Sequence, residues 1–410
     1  VECRLTALES ERKAAVTTSE ELPVLEYEDP EIFGVNSYMR ALQAEGPVVR
    51  VRTPAGDMAW LVTRHKEVRA LLRDRRIGRS HRDPDNAPRY VDNPMMDMLR
   101  GAADFTDEHE IHNQMRALLS PFFAGRHIAS LEARLKVIIE DRVEMLTGVE
   151  PPVDMKLEFA QPLTMQMICE LLGVPQSERE SFPDLVHQVS GLANVEDAVS
   201  GKDTLFEYFC DLVARKRTDP GDDILSGMVT AGLDDAQVAS LGLMMLYAAY
   251  GSTASHTSLG IIRIGTDLRL RDELVKDPEL MKGAVEELLR TASSGGFTLP
   301  HYAREDIEIG GAAIRAGDLV LLDYALANLD ETAFPEPDRV DAGRTPNPHV
   351  TFAHGMWNCM GAPLARMQLQ LSFNALLSRF PTMRLAVPLS EIGRSSNHLG
   401  GEVTNLMVTW

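Results

Sequence analysis

The sequence predicts a mainly α-helical fold with a smaller β part, and three observations support this class. Residues 46–63 alternate apolar and polar side chains around a Pro-Ala-Gly-Asp turn, which is typical of a β-hairpin. From about 65 to 290 the pattern is mostly helical and is punctuated by prolines, which helices rarely run through. Residues 297–325 alternate again, with a Gly-Gly turn between two runs. No linker separates these parts, so we expect one domain over residues 1–410.

The longest predicted helix runs from about Asp234 to Leu268, and Asp234 or Asp235 is expected to cap its start. Residues 238–254 within it carry no charge, but they are fewer than the ~20 residues that a membrane crossing needs. We therefore interpret this segment as a buried central helix. The next helix is expected to end near Arg290.

The C-terminal part of the chain combines an irregular segment, a helix and short strands. Residues 329–351 hold four prolines and no apolar period, and so long an irregular segment is usually functional or tightly packed. A last helix, part of a predicted 362–380 helical region, is expected to begin near Ala362 and to stop before Pro381. Residues 382–410 are predicted to form short strands.

Charge and cysteine content exclude several classes of protein. The chain has 61 acidic and 41 basic residues, a net charge of -20, which argues against nucleic acid or anionic lipid as partner. The four cysteines contain no C-x-x-C pair, which argues against zinc clusters and disulfides and fits a reducing cytoplasm. The charged N-terminal stretch shows no apolar signal core or membrane anchor. We expect a cytoplasmic protein without a membrane partner.

Cys359 lies in an unusual frame within residues 352–366, "FAHGMWNCMGAPLAR". Gly361 and Pro363 mark the start of a helix, where the helix dipole lowers the pKa of a thiol. The thiolate is the form that binds a metal, and Gly355 and Gly361 would let a flat group approach the backbone. The alternative is a structural cysteine in a turn, because burial is the ordinary fate of a cysteine without a disulfide.

Two charged pairs at helical spacing are candidates for a site, although each has an ordinary explanation. Glu287 and Arg290 are three residues apart and share a helix face, as many surface pairs do. His112 and Arg116 are four apart and would present two anion-binding side chains on one face. A solvated helix face explains the second pair equally simply.

Taken together, these patterns resemble the bacterial soluble cytochrome P450 family. The Cys loop reads Phe-x-x-Gly-x-x-x-Cys-x-Gly over residues 352–361, and Glu-x-x-Arg precedes it at 287–290. Three further segments are similar to family segments, namely 159–175, 305–322 and 333–352. The resemblance covers about residues 30 to 410, and the combination of the two motifs is far more specific than either alone.

The resemblance implies a cytochrome P450 fold with haem b, iron protoporphyrin IX, between the long central helix and the Cys loop. Cys359 would be the axial thiolate of the haem iron, a ligand that favours O–O cleavage. Glu287, Arg290 and the later Arg344 would form a buried ion network. The propionates would be bound by His112, Arg116, His301 and His349, and the remaining cofactor contacts would come from Phe352, Gly355, Gly361 and Gly251.

Two propionate positions depart from the family pattern. The residue two before the cysteine, usually His or Arg, is Trp357, whose ring could stack or donate one N–H instead. The Arg usually found after the Glu-x-x-Arg helix is replaced by His301, which is shorter and only partly charged at neutral pH.

A third departure concerns proton delivery from the long helix. Aligning the family's Ala-Gly-x-acid-Thr on Gly251 places Thr253 at the acid and Ala254 at the threonine. Those two groups normally relay protons. Proton delivery is therefore expected through Ser252, Thr253, Ser255, ordered water or the substrate itself.

The family positions that face the substrate carry mostly apolar and aromatic side chains, although ordinary core packing explains any single one equally well. They are Met95, Met96, Met98, Tyr247, Tyr250, Phe297 and Leu399. We expect a hydrophobic, aromatic substrate from secondary metabolism. It would be modified by C–H hydroxylation or by oxidative coupling (C–C or C–N, for example of tryptophan-containing cyclic dipeptides). The missing acid–Thr pair favours coupling.

The expected electron donor is a ferredoxin with its reductase, docking near the Cys loop on Arg116, Arg126 and Arg366. Ordinary solvated arginines are the alternative there. A different function, a non-catalytic haem sensor or electron carrier, would use the same motifs.

Overall fold

The computed structural model describes residues 22–25, 32–91, 104–123, 125–183, 185–186, 195–292, 299–395 and 402–410, without the side chains of 125–127, 195–202, 395 and 402. Five predicted pocket residues lie outside the described residues, namely Met95, Met96, Met98, Phe297 and Leu399. The side chain of Arg126, a predicted docking residue, lies outside them as well.

Helices make up most of the described chain, in agreement with the predicted class. They are α1 Ser37–Glu45, α2 His65–Leu71, α3 Glu108–Leu119, α4 Gly125–Thr147, α5 Gln161–Leu172, α6 Val195–Thr218, α7 Ile224–Thr230, α8 Asp235–Thr266, α9 Leu268–Lys276, α10 Met281–Thr291, α11 Tyr324–Asn328 and α12 Ala362–Arg379. Pro162, one of the prolines within the predicted helical region, lies in the first turn of α5, where its missing N–H is not needed.

The long helix α8 confirms the predicted central helix. Its 32 residues span about 48 Å, and the Asp234 carboxylate caps it by accepting a hydrogen bond from the Gln237 amide at 2.9 Å. The helix ends at Thr266, slightly before the predicted Leu268, because Asp267 caps the following helix α9. No helix in the described part of the chain has the length and apolar composition of a bilayer span. The cytoplasmic location and the single-domain organisation stay predictions.

Short strands form one five-stranded sheet and several small ones. They are β1 Val48–Arg52, β2 Met58–Val62, β3 Ile77–Gly78, β4 Val153–Asp154, β5 His301–Ala303, β6 Ile307–Ile309, β7 Ala312–Ile314, β8 Leu319–Leu322, β9 Arg384–Leu385, β10 Arg394–Ser395, β11 Glu402–Val403 and β12 Met407–Thr409. The largest sheet has the order β1-β2-β8-β5-β3, with β2 parallel to β8.

The two predicted β regions at 46–63 and 297–325 are confirmed. Strands β1 and β2 pair antiparallel as a hairpin. Gly310 and Gly311 both have positive φ, 59° and 81°, which suits the tight turn between β6 and β7. One strand was not expected: β4 interrupts the helical region and pairs with β12, near the C-terminus.

Two large apolar clusters meet along α8 and fix its position. The C-terminal half of α8, including Leu259 and Ile262, packs with α4, α10 and α12. The N-terminal half, including Val238 and Leu246, packs with α5, α6 and α7. The middle of α8 lies between these clusters.

Candidate functional site

The Cys loop is closed by its own backbone. The Cys359 amide donates to the Phe352 carbonyl at 2.8 Å, and α12 begins three residues after the cysteine. The Cys359 side chain is open to solvent yet closely surrounded by protein. This desolvation raises the pKa of the thiol, although amides of Gly361 and Ala362 oppose the rise. The predicted lowering of this pKa is therefore wrong for the protein without an iron partner, because desolvation outweighs the helix terminus.

Gly355 is needed for a reason other than the predicted approach of a flat group. Its φ is 63°, and a Cβ at this position would lie 2.7 Å from the Leu72 carbonyl oxygen. The Cys loop therefore packs directly on the end of α2, and glycine permits the contact. At Gly361 a Cβ would meet only the Cys359 sulfur, at an ordinary 3.8 Å.

The three residues predicted to form an ion network lie together. The fully buried Glu287 carboxylate accepts from Arg290 Nε at 2.6 Å and from Arg344 Nε at 3.0 Å. Arg290 also donates to the carbonyls of Asn328 and Pro337. Removing one partner of such a buried pair typically costs about 3–5 kcal/mol. The network joins α10 to the irregular segment before the Cys loop.

A second, half-buried cluster lies beside it and involves Glu286, which no sequence motif indicated. Its carboxylate accepts from Arg366 at 2.7 and 2.9 Å and pairs with His349 Nε2 at 3.1 Å. Burial alone would raise the pKa of Glu286, but the hydrogen bonds from His349 and Arg366 lower it to about 2. The Arg366 guanidinium also lies 4.6 Å from the centre of the Phe352 ring. This cluster ties α10 and α12 to the start of the Cys loop.

The same contacts engage His349, whose propionate role stays a prediction. One ring nitrogen is engaged by Glu286, and the other accepts from the Thr351 amide at 3.3 Å. Both nitrogens are therefore used within the protein. Its Glu286 partner lies on α10, 63 residues earlier in the chain, so the motif spacing could not reveal this pairing.

Trp357 is the centre of a cluster of polar side chains from separate parts of the chain. Its ring lies 4.7 Å from the Arg79 guanidinium and 4.7 Å from the His112 ring, measured between centres. His301 lies 6.0 Å away on another side. His112 and His301 were predicted for this region, whereas Arg79 was not. Arg79 belongs to no sequence motif, so only the tertiary structure identifies it as a member of this cluster.

The polar atoms of this cluster lack partners among the described residues. Five of them are buried without a hydrogen bond, namely Arg79 Nε, His112 Nδ1, both ring nitrogens of His301 and Trp357 Nε1. Buried polar groups in proteins are nearly always paired, so such a concentration indicates a site for a polar ligand group. A carboxylate, which only accepts hydrogen bonds when ionised, fits this set of donors.

Both histidines of the cluster are neutral at pH 7. Burial, together with the charges of Arg116 and Arg79, lowers the pKa of His112 to about 4. Burial and the charge of Arg79 lower the pKa of His301 to about 3, and a backbone contact with Leu299 opposes this lowering. Arg116 itself donates to the Asn358 carbonyl, next to Cys359. Its propionate contact stays a prediction.

The middle of α8 presents one exposed face between the two apolar clusters. Met244, Ala248, Gly251 and Ser252 are exposed and recur at helical spacing, whereas Ser255 is buried. The Ser252 hydroxyl donates to the Ala248 carbonyl at 2.8 Å. Of the three predicted relay residues, Ser252 alone is fully exposed and Thr253 is half-buried.

The predicted pocket residues Tyr247 and Tyr250 lie partly buried on the same apolar cluster as Met360 of the Cys loop and Leu364 of α12. Desolvation raises the pKa of Tyr247. Their contact with a substrate stays a prediction, because this packing alone also explains them. The shared cluster places the middle of α8 and the Cys loop on one continuous apolar surface.

These features fit a haem. The surrounded Cys359 sulfur is suited to an axial ligand, and the unpaired donors around Trp357 are suited to propionates. The exposed face of α8 is uncharged, which suits contact with a flat apolar group and a substrate.

Comparison with known proteins identifies relatives over nearly the whole chain. The family model described as Cytochrome P450 matches residues 263–389. Pentalenolactone synthase of Streptomyces exfoliatus is 37% identical, covering 95% of this chain and 100% of the relative. Mycinamicin IV hydroxylase/epoxidase of Micromonospora griseorubida is 36% identical, covering 90% and 94%.

A solved structure agrees with these relatives. Substrate-free cytochrome P450 PimD, a polyene macrolide antibiotic pimaricin epoxidase, superposes with a TM-score of 0.88 at 40% identity, covering 96% of this chain and 100% of that one. The cysteine loop, the buried Glu287–Arg290 pair and the similarity along the chain lead to one assignment. This chain belongs to the cytochrome P450 family, and it is a haem-binding monooxygenase.

Proposed function

We propose that this protein inserts oxygen into a hydrophobic natural product, by hydroxylation or epoxidation. The observation that carries this proposal is the full-length similarity to proteins named for those reactions, a hydroxylase/epoxidase and a macrolide epoxidase. The exposed, uncharged face of α8 supports a large apolar substrate. The alternative of a non-catalytic haem sensor or carrier is not supported, because the relatives carry enzyme names.

The residues of the site have separate tasks in this reaction. Bound haem supplies the activation of dioxygen. Cys359 would hold the iron, and the Glu286 and Glu287 clusters would keep its loop rigid against α10 and α12. The apolar surface around Tyr247 would orient the substrate and exclude bulk water.

Ser252 is the hydroxyl best placed to take part in proton delivery. Its proton is engaged by the Ala248 carbonyl, so its lone pairs are available to accept a hydrogen bond from water or from a substrate hydroxyl. To donate a proton, it must first leave Ala248. The substrate or ordered water therefore has a larger share of proton delivery than in a site with an acid–Thr pair.

Oxidative coupling is the second candidate, and the residues at 253 and 254 favour it. Thr253 and Ala254 stand where an acid and a threonine are usual, and this departure from the family pattern is the feature on which the coupling alternative rests. In coupling, for example of tryptophan-containing cyclic dipeptides, the product retains no oxygen from dioxygen. Coupling of such dipeptides has no support among the relatives beyond tailoring oxidation in general.

Product analysis under oxygen-18 labelled dioxygen tests the proposal. Macrolactones and aromatic cyclic dipeptides are first screened for a substrate-induced spin shift of the haem, and each binder is then turned over with a ferredoxin and its reductase. Oxygen insertion predicts one labelled oxygen in the main product. An unlabelled product joined by a new C–C or C–N bond would overturn it in favour of coupling.

A pair of serine variants tests the relay. Ser252→Ala is expected to lower the fraction of electrons recovered in product, because the accepting hydroxyl is lost. Ser258→Ala is the matched control, since the Ser258 hydroxyl makes the same kind of bond, to the Ala254 carbonyl at 2.9 Å, from a buried position. If both variants recover the same fraction of electrons in product, Ser252 takes no part in proton delivery.

We also propose a small acidic ferredoxin as the electron donor. Arg116 donates to the Asn358 carbonyl of the Cys loop. Arg69 and Arg73 add positive charge close to His354 of the same loop, since these charges, after burial, lower the pKa of that histidine. The charge of Arg366, a predicted docking residue, is countered by Glu286. Rates of reduction by the ferredoxin should fall as ionic strength rises, and rates independent of salt would contradict this docking surface.

A further inference from the structure

We propose that Arg79 is the cationic anchor of a haem propionate, and that Trp357, His112 and His301 are further hydrogen-bond donors around it. The family pattern uses charged residues at positions 301 and 357, and this chain has lost both. The inference rests on haem binding, which family membership shows, and is independent of the substrate proposed above.

The geometry places Arg79 at the same point as the other donors. Its guanidinium lies over the Trp357 ring at 4.7 Å, and its Nε is buried without a hydrogen-bond partner. The ring neighbours of Trp357 include His112 and His301, whose nitrogens are also unpaired. A guanidinium stacked on an indole keeps its N–H groups in one plane, directed outwards from the ring edge.

The charge of the cluster comes from Arg79. His112 and His301 have pKa values of about 4 and 3, so both rings are neutral at pH 7. Trp357 has no charge. A propionate carboxylate entering this cluster finds the Arg79 cation against the Trp357 ring, with the charge of Arg116 also acting on His112. A charge-assisted hydrogen bond from Arg79 is the strongest contact that the cluster offers.

Arg79 is held in place by a buried carboxylate on α3. Glu108 accepts from the backbone amides of Arg79 at 2.6 Å and Ser80 at 3.1 Å, and from Arg304 at 3.1 Å. A Cβ at Gly78 would lie 2.4 Å from this carboxylate, so glycine is required for the contact. Because α3 also carries His112, Glu108 fixes the spacing between the cation and one of its neutral neighbours.

The test measures loss of haem from the holoenzyme to excess apomyoglobin, which does not depend on catalysis. Arg79→Gln is expected to release haem at least about tenfold faster, the size of a lost charge-assisted hydrogen bond. Arg50→Gln is the matched control, because Arg50 also lies over a tryptophan ring, Trp60 at 5.5 Å, in the five-stranded sheet. Arg79→Lys should restore part of the retention, since it keeps the charge.

Holoenzyme reconstituted with haem dimethyl ester separates a charge contact from packing. With the propionates esterified, wild type and Arg79→Gln should release the cofactor at similar rates. Release of ordinary haem from Arg79→Gln at the rate of Arg50→Gln would overturn the proposal. An equal acceleration with haem and with its ester would also overturn it. If Arg79→Gln does not fold, Arg79→Lys is compared with wild type in the same way. Arg79→Lys should then release haem at a rate between those of wild type and a full loss of the contact, and should release the dimethyl ester at the wild-type rate.

Discussion

Replacing Glu286 by glutamine tests the cluster that the sequence analysis missed. Glutamine keeps the shape and one acceptor oxygen but removes the charge that pairs with Arg366 and His349. The pKa of Glu286 falls from 4.5 to about 2 in the folded protein. At 1.36 kcal/mol for each unit, this shift corresponds to about 3 kcal/mol of unfolding free energy at neutral pH.

The pH dependence has a definite sign. A carboxylate whose pKa is lowered by folding stabilises the protein above its unfolded pKa, here 4.5, and the contribution is lost as pH falls towards about 2. Glu286→Gln should therefore lower the unfolding free energy by about 2–3 kcal/mol at pH 7. At about pH 3.5 the difference from wild type should be about 1 kcal/mol smaller.

The measurement is urea unfolding of the holoenzyme, followed by tryptophan fluorescence. The midpoints of two variants are compared only if the unfolding free energy depends on urea concentration with the same slope in both. Glu273→Gln is the control, because Glu273 pairs with Arg269 at 2.9 Å on the surface of α9, where such a pair contributes less than about 1 kcal/mol. A loss no larger than that of Glu273→Gln, or one that grows as pH falls, would refute the reasoning.

Three further substitutions follow from the described contacts. In thermal unfolding, Gly355→Ala should cost well over 1 kcal/mol and disturb the haem spectrum, because a positive φ and a carbonyl at 2.7 Å oppose the new Cβ. Gly311→Ala, with positive φ but no atom within 4 Å, is the control and should cost about 1 kcal/mol. Asp234→Ala should lower stability by about 1 kcal/mol through loss of the α8 cap, and Asp234→Asn should not. Cys359→Ala should abolish the thiolate-type carbon monoxide spectrum; persistence of that spectrum would exclude Cys359 as the iron ligand.

Elements with a strong local signal were predicted closely. Helix α8 has a capping aspartate, and the β6–β7 turn has its two glycines, so each is encoded by adjacent residues. Strand β4 has only two residues, Val153 and Asp154, and exists because β12 pairs with it from the far end of the chain. No periodicity can reveal a pairing of that kind.

In the candidate site, too, features encoded by nearby residues were predicted and contacts between distant residues were not. The Cys loop and the Glu-x-x-Arg pair have fixed spacing, and the structure brings Glu287, Arg290 and Arg344 together. Arg79 and Glu286 belong to no spaced motif, and their partners come from distant parts of the chain. Their roles depend on which side chains are buried together in the folded protein, and a single sequence does not show this.

The order of the main sheet has a consequence for how the chain is made. Strand β2 is complete by Val62, but its parallel neighbour β8 ends only at Leu322. At about 5–20 residues per second, synthesis leaves the edge of the first hairpin uncovered for many seconds. An open strand edge can pair with the wrong segment or the wrong molecule. Newly made chains should thus depend on chaperones until β8 emerges from the ribosome, and truncation before it should yield aggregates.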